Sequence, residues 1–334
     1  MSVLGSCQPP LSSAYDVAVL DLDGVVYLGP DAVPGAPEAL NQAQAGGMHL
    51  AFVTNNAARP PASVGRHLRD LGVDAHDEDV VTSAQAAARL LAGQLDKGSK
   101  VFLLGGAGLE EALRERSLVP VLEPTDDVEA VVQGYGPDLL WKQVMQGAVL
   151  VRSGLPWVAS NTDMTIPTAA GVAPGNGALV RLVAEFAERE PQVAGKPMPP
   201  LFEETLERVG GERPLVIGDR LDTDIRGAVT MGWDSLLVLT GVTGLEELVG
   251  ARPEERPTYV APDLAALAEA QEAPEVTDGA AVLGGWTASV EGDRLEVSGQ
   301  GSLADWWRVV AAAAWVHLDA AGQPVATDGV QPPR

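Results

Sequence analysis

The chain is short of cysteine, of basic residues and of long apolar runs, and each shortage excludes a class of protein. Cys7 is the only cysteine among 334 residues, so an intrachain disulfide and a cysteine-based metal site are excluded. The 22 basic residues, of which four are lysines, face 46 acidic ones, which gives a net charge of −24. This charge disfavours binding to nucleic acid or to an anionic membrane surface. With no apolar run that spans a bilayer and no visible secretory signal, we expect a cytoplasmic protein.

Short apolar runs alternate with helical patterns from residue 15 onward, which is typical of βαβ units around a parallel sheet. A second alternating series begins near residue 83 and interrupts the first. After residue 273 an alternating hairpin pattern precedes one long helix. We therefore predict an α/β protein with a Rossmann-like, doubly wound parallel-sheet core, an inserted α/β cap domain and a small C-terminal ββα appendage. The predicted segments are a disordered tail (1–13), the first part of the core (14–82), the cap (83–190), the second part of the core (191–272) and a C-terminal extension (273–334).

Two aspartates end the first predicted strand, in the stretch YDVAVLDLDGVVYLG at 15–29. In an extended segment alternate side chains share a face, so Asp21 and Asp23 are expected to point the same way while Leu22 turns into the core. Two like charges that close repel each other unless a cation lies between them or one is protonated. A solvated turn after a strand is the alternative, and this motif alone leaves the choice open.

A second acidic cluster, VIGDRLDTDIRGA, follows another apolar run and begins at Asp219. Parallel strands end at the same edge of a sheet, where α/β proteins bind ligands. Asp219 would therefore complete a Mg²⁺ site with Asp21, and Asp224 would orient that site through a hydrogen bond or water. Asp222 is a weaker candidate. An acidic loop that caps the next helix would explain the second cluster alone, but hardly both clusters.

Two further stretches suit a bound anion. LAFVTNNA ends a strand in Thr54, Asn55 and Asn56, whose hydroxyl and amides are able to donate hydrogen bonds to phosphate oxygens. VAGKPMPP holds Lys196 between a glycine and a proline, so a rigid loop presents its charge. Taken singly, an ordinary helix cap explains the first stretch and a surface lysine the second.

In this order the stretches DLDGVVY, TNN, GKP and GDRLDTDI resemble motifs I to IV of the haloacid dehalogenase superfamily of phosphatases. The insert resembles the large αβ (C2-type) cap of the subclass that contains the NagD nucleotidase, 4-nitrophenyl phosphatase and phosphoglycolate phosphatase. The resemblance covers about residues 14–270 and leaves the C-terminal extension outside the common core.

The resemblance implies roles for the motif residues. Asp21 is the implied nucleophile, which forms an aspartyl-phosphate, and Asp23 is the implied general acid/base. The implied ligands of Mg²⁺ are Asp21, the main-chain carbonyl of Asp23, and Asp219. The remaining implied residues are two phosphate contacts (Thr54 and the Asn55 amide), the charge neutraliser Lys196, and the supporting residues Asn56 and Asp224.

The resemblance implies a Mg²⁺-dependent phosphatase that acts on a small phosphorylated metabolite, with no nucleic-acid or membrane partner. Glycerol 3-phosphate is the favoured substrate; phosphoglycolate, a nucleotide or broad 4-nitrophenyl-type activity stay open, as does a homo-oligomer. The loop that is expected to set specificity has no aromatic platform and contains Asp163, Met164, Thr165 and Ile166. The alternatives of another class are a phospho-aspartate regulatory switch and a binding protein without turnover.

Overall fold

The structure is a computed structural model that describes residues 4–168 and 171–333. Its strands are β1 (Val17–Leu20), β2 (Tyr27–Leu28), β3 (Asp31–Ala32), β4 (His49–Thr54), β5 (Val80–Thr82), β6 (Lys100–Leu104), β7 (Val119–Val121), β8 (Val128–Gln133), β9 (Trp157–Ala159), β10 (Thr165–Thr168), β11 (Gly171–Pro174), β12 (Gln192–Val193), β13 (Pro214–Gly218), β14 (Asp234–Val238), β15 (Tyr259–Ala261), β16 (Glu275–Thr277), β17 (Ala280–Leu283), β18 (Trp286–Glu291) and β19 (Arg294–Gly299). Its α-helices are α1 (Leu11–Ala14), α2 (Ala36–Ala45), α3 (Pro61–Asp70), α4 (Ser83–Ala92), α5 (Ala107–Glu115), α6 (Trp141–Arg152), α7 (Asn176–Ala187), α8 (Pro199–Val209), α9 (Arg226–Met231), α10 (Leu245–Val249) and α11 (Leu303–Ala321).

The chain forms two compact units, the first made of residues 1–50, 71–74 and 211–334. In this unit β1 pairs with β13, β13 with β14, and β14 with β15, and all three pairs are parallel. Every residue of β1 and β13 is buried. Strands buried on both faces read as continuous apolar runs, as VAVL and PLVIG do here. The predicted α/β class with a parallel sheet is confirmed.

The C-terminal part of the first unit has more strands than we predicted. The hairpin is present as β18 and β19, with Gly292 at φ +62° in its turn. It is preceded by β16 and β17, so the four strands form one antiparallel sheet that α11 contacts. The ββα prediction was therefore wrong in its strand count. The additional strands are only three and four residues long and flank a turn at Asp278 and Gly279, too short for a clear alternating pattern.

Helix α11 packs this sheet onto the rest of the first unit. Trp306 and Trp315 are almost fully buried in a cluster that also contains Ile225 and Leu237. The indole N–H of Trp315 donates to the main-chain oxygen of Leu248 at 2.7 Å. The tryptophans of this helix are therefore core residues rather than a ligand cage.

The predicted disordered tail was wrong for residues 4–13. Leu4 and Leu11 are buried, and helix α1 begins at Leu11. Cys7 pairs with Gln271 as an isolated antiparallel bridge, in which each main-chain N–H donates to the other residue's oxygen. Partners some 260 positions away fix this segment. Its own sequence, which contains proline and serine, does not indicate these partners.

The second unit consists of residues 51–70 and 75–210. One sheet of this unit has five strands in the order β12–β9–β8–β6–β7, and all its neighbouring pairs are parallel. The end of β4 pairs in parallel with β5, and β10 and β11 form an antiparallel hairpin. Helices α6 and α7 contact each other and share an apolar cluster around Phe102 and Trp157. The limits of 83 and 190 that we gave for the cap stay a prediction.

Within the described residues, none of the helices combines the length and the apolar character that crossing a bilayer requires.

Candidate functional site

Asp21 follows the buried strand β1 directly. Its main-chain N–H donates to the oxygen of Ile217 at 2.8 Å, so the parallel ladder with β13 extends one residue beyond the strand. The chain then turns: the N–H of Val26 donates to the oxygen of Leu22, and Gly24 adopts φ +83°. Leu22 is buried, as predicted, and the Asp21 side chain is partly open to solvent.

Asp219 follows the neighbouring strand β13 in the same way and is only 1% exposed. Its Oδ2 accepts a hydrogen bond from the main-chain N–H of Val242 at 2.7 Å. Its main-chain oxygen accepts a second one from the hydroxyl of Thr243 at 2.6 Å. The loop after β14 therefore fixes both ends of this residue.

Asp224 completes a group of three carboxylates. It lies in the π-helical turn Leu221–Ile225, it is fully buried, and its Oδ2 accepts a hydrogen bond from the main-chain N–H of Arg220 at 3.2 Å. One oxygen each of Asp21, Asp219 and Asp224 lie within 4.8 Å of one another. The predicted convergence of the two strand-end acids is present, and the third acid belongs to the same group.

The shape of the group suits a small, hard cation. Carboxylate oxygens are the ligands that Mg²⁺ prefers, and a divalent ion would offset the repulsion between three acids. Glycines let the main chain approach closely: a Cβ on Gly24 would lie 2.4 Å, and one on Gly241 2.0 Å, from Oδ2 of Asp219. A Cβ on Gly218 would lie 2.2 Å from that of Asp224. The residues present therefore fit Mg²⁺.

Asp23 and Asp222 are placed differently from these three. Asp23 is exposed and lies in the turn where it forms a bridge with Tyr27. Asp222 is exposed, and its carboxylate accepts hydrogen bonds from the guanidinium of Arg220 at 2.8 and 3.0 Å. Asp23 is thus accessible for proton transfer, whereas Asp222 forms a surface ion pair outside the group.

The predicted anion-binding residues lie in the second unit. Lys196 is only 4% exposed, and its Nζ lies 3.5 Å from the oxygen of Val53 in β4. Thr54 is buried at the end of the same strand, where its hydroxyl oxygen accepts from the main-chain N–H of Asn56 at 3.1 Å. Asn56 in turn accepts from the N–H of Ala58 at 2.9 Å. These are the local hydrogen bonds of a strand-to-helix turn.

Asn55 joins Lys196 to the predicted specificity loop. Its Oδ1 accepts from the main-chain N–H of Lys196 at 2.8 Å, and its Nδ2 donates to the main-chain oxygen of Lys196 at 3.1 Å. Nδ2 also lies 3.2 Å from both carboxylate oxygens of Asp163. The structure thus brings Asn55, Lys196 and Asp163 together.

The rest of the predicted loop is more open. Met164 is 51% exposed, Thr165 is exposed and Ile166 is partly buried. Thr165 and Ile166 belong to β10, where Ile166 lies opposite Ala173. The main-chain oxygen of Asp163 accepts from the N–H of Gly177, which ties the loop to the start of α7.

Sequence reasoning missed the residues that support these side chains. Gly241, Val242 and Thr243 hold Asp219, and their only sequence signal is a Gly-Val-Thr run after an apolar strand. Ser83 and Asn161 both donate to the main-chain oxygen of Asn55, each at 2.6 Å. Asn161 comes soon after a buried strand, as the predicted acids do. This position in the sequence is the signal that could have identified it.

Two family models match this chain. The first, described as haloacid dehalogenase-like hydrolase, matches residues 18–118, and the second, described as HAD-hydrolase-like, matches residues 193–267. The matched ranges contain Asp21, Asn55, Lys196 and Asp219.

Phosphatases are among the most similar proteins. D-glycerol 3-phosphate phosphatase of Mycobacterium tuberculosis is 40% identical over 91% of this chain and 87% of its own length. Acid sugar phosphatase of Staphylococcus aureus is 35% identical over 77% of this chain and 99% of its own length. A crystal structure of glycerol phosphate phosphatase from M. tuberculosis in complex with magnesium has a TM-score of 0.85 and 39% identity, and covers 95% of this chain and 94% of that one.

Proposed function

This chain belongs to the haloacid dehalogenase-like hydrolases, and on that premise we propose that it is a Mg²⁺-dependent phosphatase of glycerol 3-phosphate. The observation that carries the proposal is the meeting of Asp21, Asp219 and Asp224 at the ends of two buried strands and in the turn that follows. The family motifs in the sequence assign the role of nucleophile to Asp21 and that of metal ligand to Asp219.

In the first step a carboxylate oxygen of Asp21 attacks phosphorus and the bond from phosphorus to the leaving oxygen breaks. Asp23 gives its proton to that oxygen, so that glycerol leaves as a neutral alcohol. In the second step Asp23 takes a proton from water, whose oxygen attacks the phosphorus of the aspartyl-phosphate. Inorganic phosphate leaves and the Asp21 carboxylate is restored. The exposure of Asp23 suits this exchange of protons with solvent.

The remaining motif residues bind and neutralise charge. Phosphoryl transfer depends mainly on positioning and on charge neutralisation. Mg²⁺, when bound, would offset charge on the transferring phosphoryl group. Asp21, Asp219 and the main-chain oxygen of Asp23 would hold it, and Asp224 of the same group would support them. The family motifs in the sequence assign charge neutralisation to Lys196, and contacts with phosphate oxygens to Thr54 and the main-chain amide of Asn55.

Two observations support glycerol 3-phosphate over larger substrates. A relative that is 40% identical over 91% of this chain is a D-glycerol 3-phosphate phosphatase, whereas acid sugar phosphatase matches only 77% of this chain. The residues from Asp163 to Ile166 include no aromatic ring on which a planar substrate group would stack. A small phosphorylated polyol is the proposed partner. A cytoplasmic location and assembly into a homo-oligomer stay predictions.

The test is a comparison of kcat/KM for phosphate release from glycerol 3-phosphate, phosphoglycolate, a nucleoside monophosphate and 4-nitrophenyl phosphate, each with Mg²⁺ and with a chelator. We expect Mg²⁺-dependent turnover and the highest kcat/KM for glycerol 3-phosphate. A higher kcat/KM for another ester would contradict glycerol 3-phosphate as the substrate but would agree with phosphatase activity. Stable phosphorylation of the chain by acetyl phosphate, without turnover of any ester, would identify a regulatory switch instead.

A further inference from the structure

The side chain of Asn55 is fully engaged within the second unit. A primary amide has one oxygen that accepts and two N–H groups that donate. The oxygen of Asn55 accepts from the N–H of Lys196, and the two donors are directed to the oxygen of Lys196 and the carboxylate of Asp163. A phosphate oxygen would have to displace one of these acceptors to bind the side chain.

The orientation of this amide is fixed by its partners. Exchanging its oxygen and nitrogen would set an NH₂ group against the N–H of Lys196. The exchange would also set the amide oxygen against the oxygen of Lys196 and the carboxylate of Asp163. The observed orientation satisfies every contact. Asn55 therefore holds the main-chain N–H and the main-chain oxygen of Lys196, one on each side of its Cα, an arrangement that we call the grip.

The surroundings leave little room for this grip to shift. A Cβ on Gly195 would lie 2.5 Å from Oδ1 of Asn55 and 2.5 Å from the oxygen of Ser160, so only glycine lets the chain pass. The main-chain oxygen of Asn55 is held by Ser83 and Asn161 at 2.6 Å each. The carboxylate of Asp163 adds charge to its hydrogen bond with Asn55, which strengthens that contact.

We propose that the side chain of Asn55 is a positioning group for Lys196 and not a ligand of phosphate, and that Asp163 acts on Lys196 through Asn55. The predicted specificity loop is thereby connected to the residue that neutralises the phosphate. The proposal rests on the proposed phosphatase function. It revises the sequence-based interpretation by leaving the phosphate contact at position 55 to the main chain.

A double-mutant cycle tests whether Asn55 acts through Lys196. With 4-nitrophenyl phosphate, Asn55→Ala is expected to lower kcat/KM by about 10²-fold, the effect of misplacing a charged group by about an ångström. In a Lys196→Ala background the same substitution is expected to cost less than about threefold, because the group that Asn55 positions is gone. An equal cost in both backgrounds would show that Asn55 contacts the phosphate itself and would overturn the proposal.

A polarity swap tests the role of Asp163. Asn55→Asp removes the donors and sets two carboxylates against each other, so kcat should fall. Adding Asp163→Asn restores a donor between positions 55 and 163, and we expect part of kcat to return. A direct phosphate ligand predicts no rescue, because the carboxylate at 55 would still repel phosphate. Asn41→Ala is the matched asparagine control, because it loses exposed hydrogen bonds with the main chain of Gly72 and Asp74.

Amide hydrogen exchange separates this inference from the proposed function, because it needs no turnover. The N–H of Lys196 should exchange slowly in the wild type and in Asn55→Asp, where an acceptor oxygen remains, and at least about tenfold faster in Asn55→Ala. An unchanged exchange rate of the Lys196 N–H in Asn55→Ala would contradict the proposed hydrogen bond from Lys196 to Asn55. Absence of Mg²⁺-dependent turnover in the wild type would overturn the phosphatase and leave this measurement valid.

Discussion

Asp21 and Asp219 follow two adjacent parallel strands, and one carboxylate oxygen of each lies within 4.8 Å of the other. Asp219 is buried, so its charge is costly unless it is balanced. The main-chain N–H of Val242 offsets part of that cost. The acids of this group are therefore expected to govern both the stability of the chain and its response to divalent cations.

Asp219→Asn should remove the stabilisation by Mg²⁺. A ligand at about one hundred times its Kd stabilises the folded state by about 2.7 kcal/mol, which calorimetry or thermal unfolding detects as a rise in Tm. We expect this rise in the wild type and its loss in Asp219→Asn. Without Mg²⁺, the Tm of Asp219→Asn should be no lower than that of the wild type, because one repelling charge is gone. Asp222→Asn, in the turn that follows Asp219 and paired with Arg220, is the control and should keep the rise. An unchanged response in Asp219→Asn would place the cation elsewhere.

Gly241→Ala should disable the site although it adds only one methyl group. Its Cβ would lie 2.0 Å from Oδ2 of Asp219, so the carboxylate or the loop must move. We expect kcat/KM to fall by at least about tenfold, since misplacement by an ångström has costs of that order or larger. Gly244→Ala in the same loop is the matched control, because the nearest atom to its Cβ would be the end of the exposed Glu247 side chain at 3.1 Å. Equal activities of the two variants would contradict the close packing around Asp219.

Trp315→Ala should destabilise the first unit strongly. Its side chain is fully buried and its indole N–H donates to the main-chain oxygen of Leu248, so truncation leaves a cavity and removes this hydrogen bond. We expect a loss of about 3–5 kcal/mol in the free energy of unfolding by urea. Trp141→Ala, at a side chain 59% exposed, is the matched control and should stay within about 0.5 kcal/mol of the wild type. A small loss in Trp315→Ala would mean that α11 is not part of the core.

Asp319→Asn should reveal a pH-dependent contact between α11 and Arg256. The guanidinium of Arg256 donates two hydrogen bonds to the Asp319 carboxylate, at 2.7 and 2.8 Å, and lowers the pKa of that carboxyl group. A carboxyl group whose pKa is lower in the folded state than in the unfolded chain, where it is about 3.9, stabilises the folded state at a pH above about 3.9. This stabilisation is lost as the pH falls through the pKa of the folded state.

Because Asp319 is largely exposed, we expect the wild type to exceed Asp319→Asn by no more than about 1 kcal/mol at pH 7. The difference should shrink below about pH 4 in urea unfolding measured over pH. Glu254→Gln, at a looser ion pair with Arg252 at 3.7 Å, is the control. A difference between wild type and Asp319→Asn that grows toward low pH would contradict the ion pair.

The sequence predicted those features that depend on local pattern. Buried parallel strands read as apolar runs, so the acids at their ends were expected to meet, and Asp21 and Asp219 do. The β18–β19 hairpin was likewise expected from its alternation around a Gly-Asp turn.

Features that depend on distant partners were not predictable in this way. The N-terminal segment is ordered because Thr258 and Gln271 supply its hydrogen bonds. Gly241 and Gly195 look like ordinary loop glycines, and only folding shows the carboxylate and the amide against which they pack. The sequence suggested that the side chain of Asn55 contacts phosphate. The structure shows that it bonds instead to the main-chain N–H and oxygen of Lys196 and to the carboxylate of Asp163.

The most direct test of the central claim is the covalent state of Asp21 during turnover. In Asp23→Asn the base that activates water is lost, whereas 4-nitrophenolate departs without a proton, so the aspartyl-phosphate should accumulate. Mass spectrometry of the acid-quenched protein should find one phosphoryl group on the peptide that contains Asp21, with about one equivalent of 4-nitrophenol released. A phosphoryl group on another residue, or Mg²⁺-dependent turnover that persists in Asp21→Asn, would contradict the account.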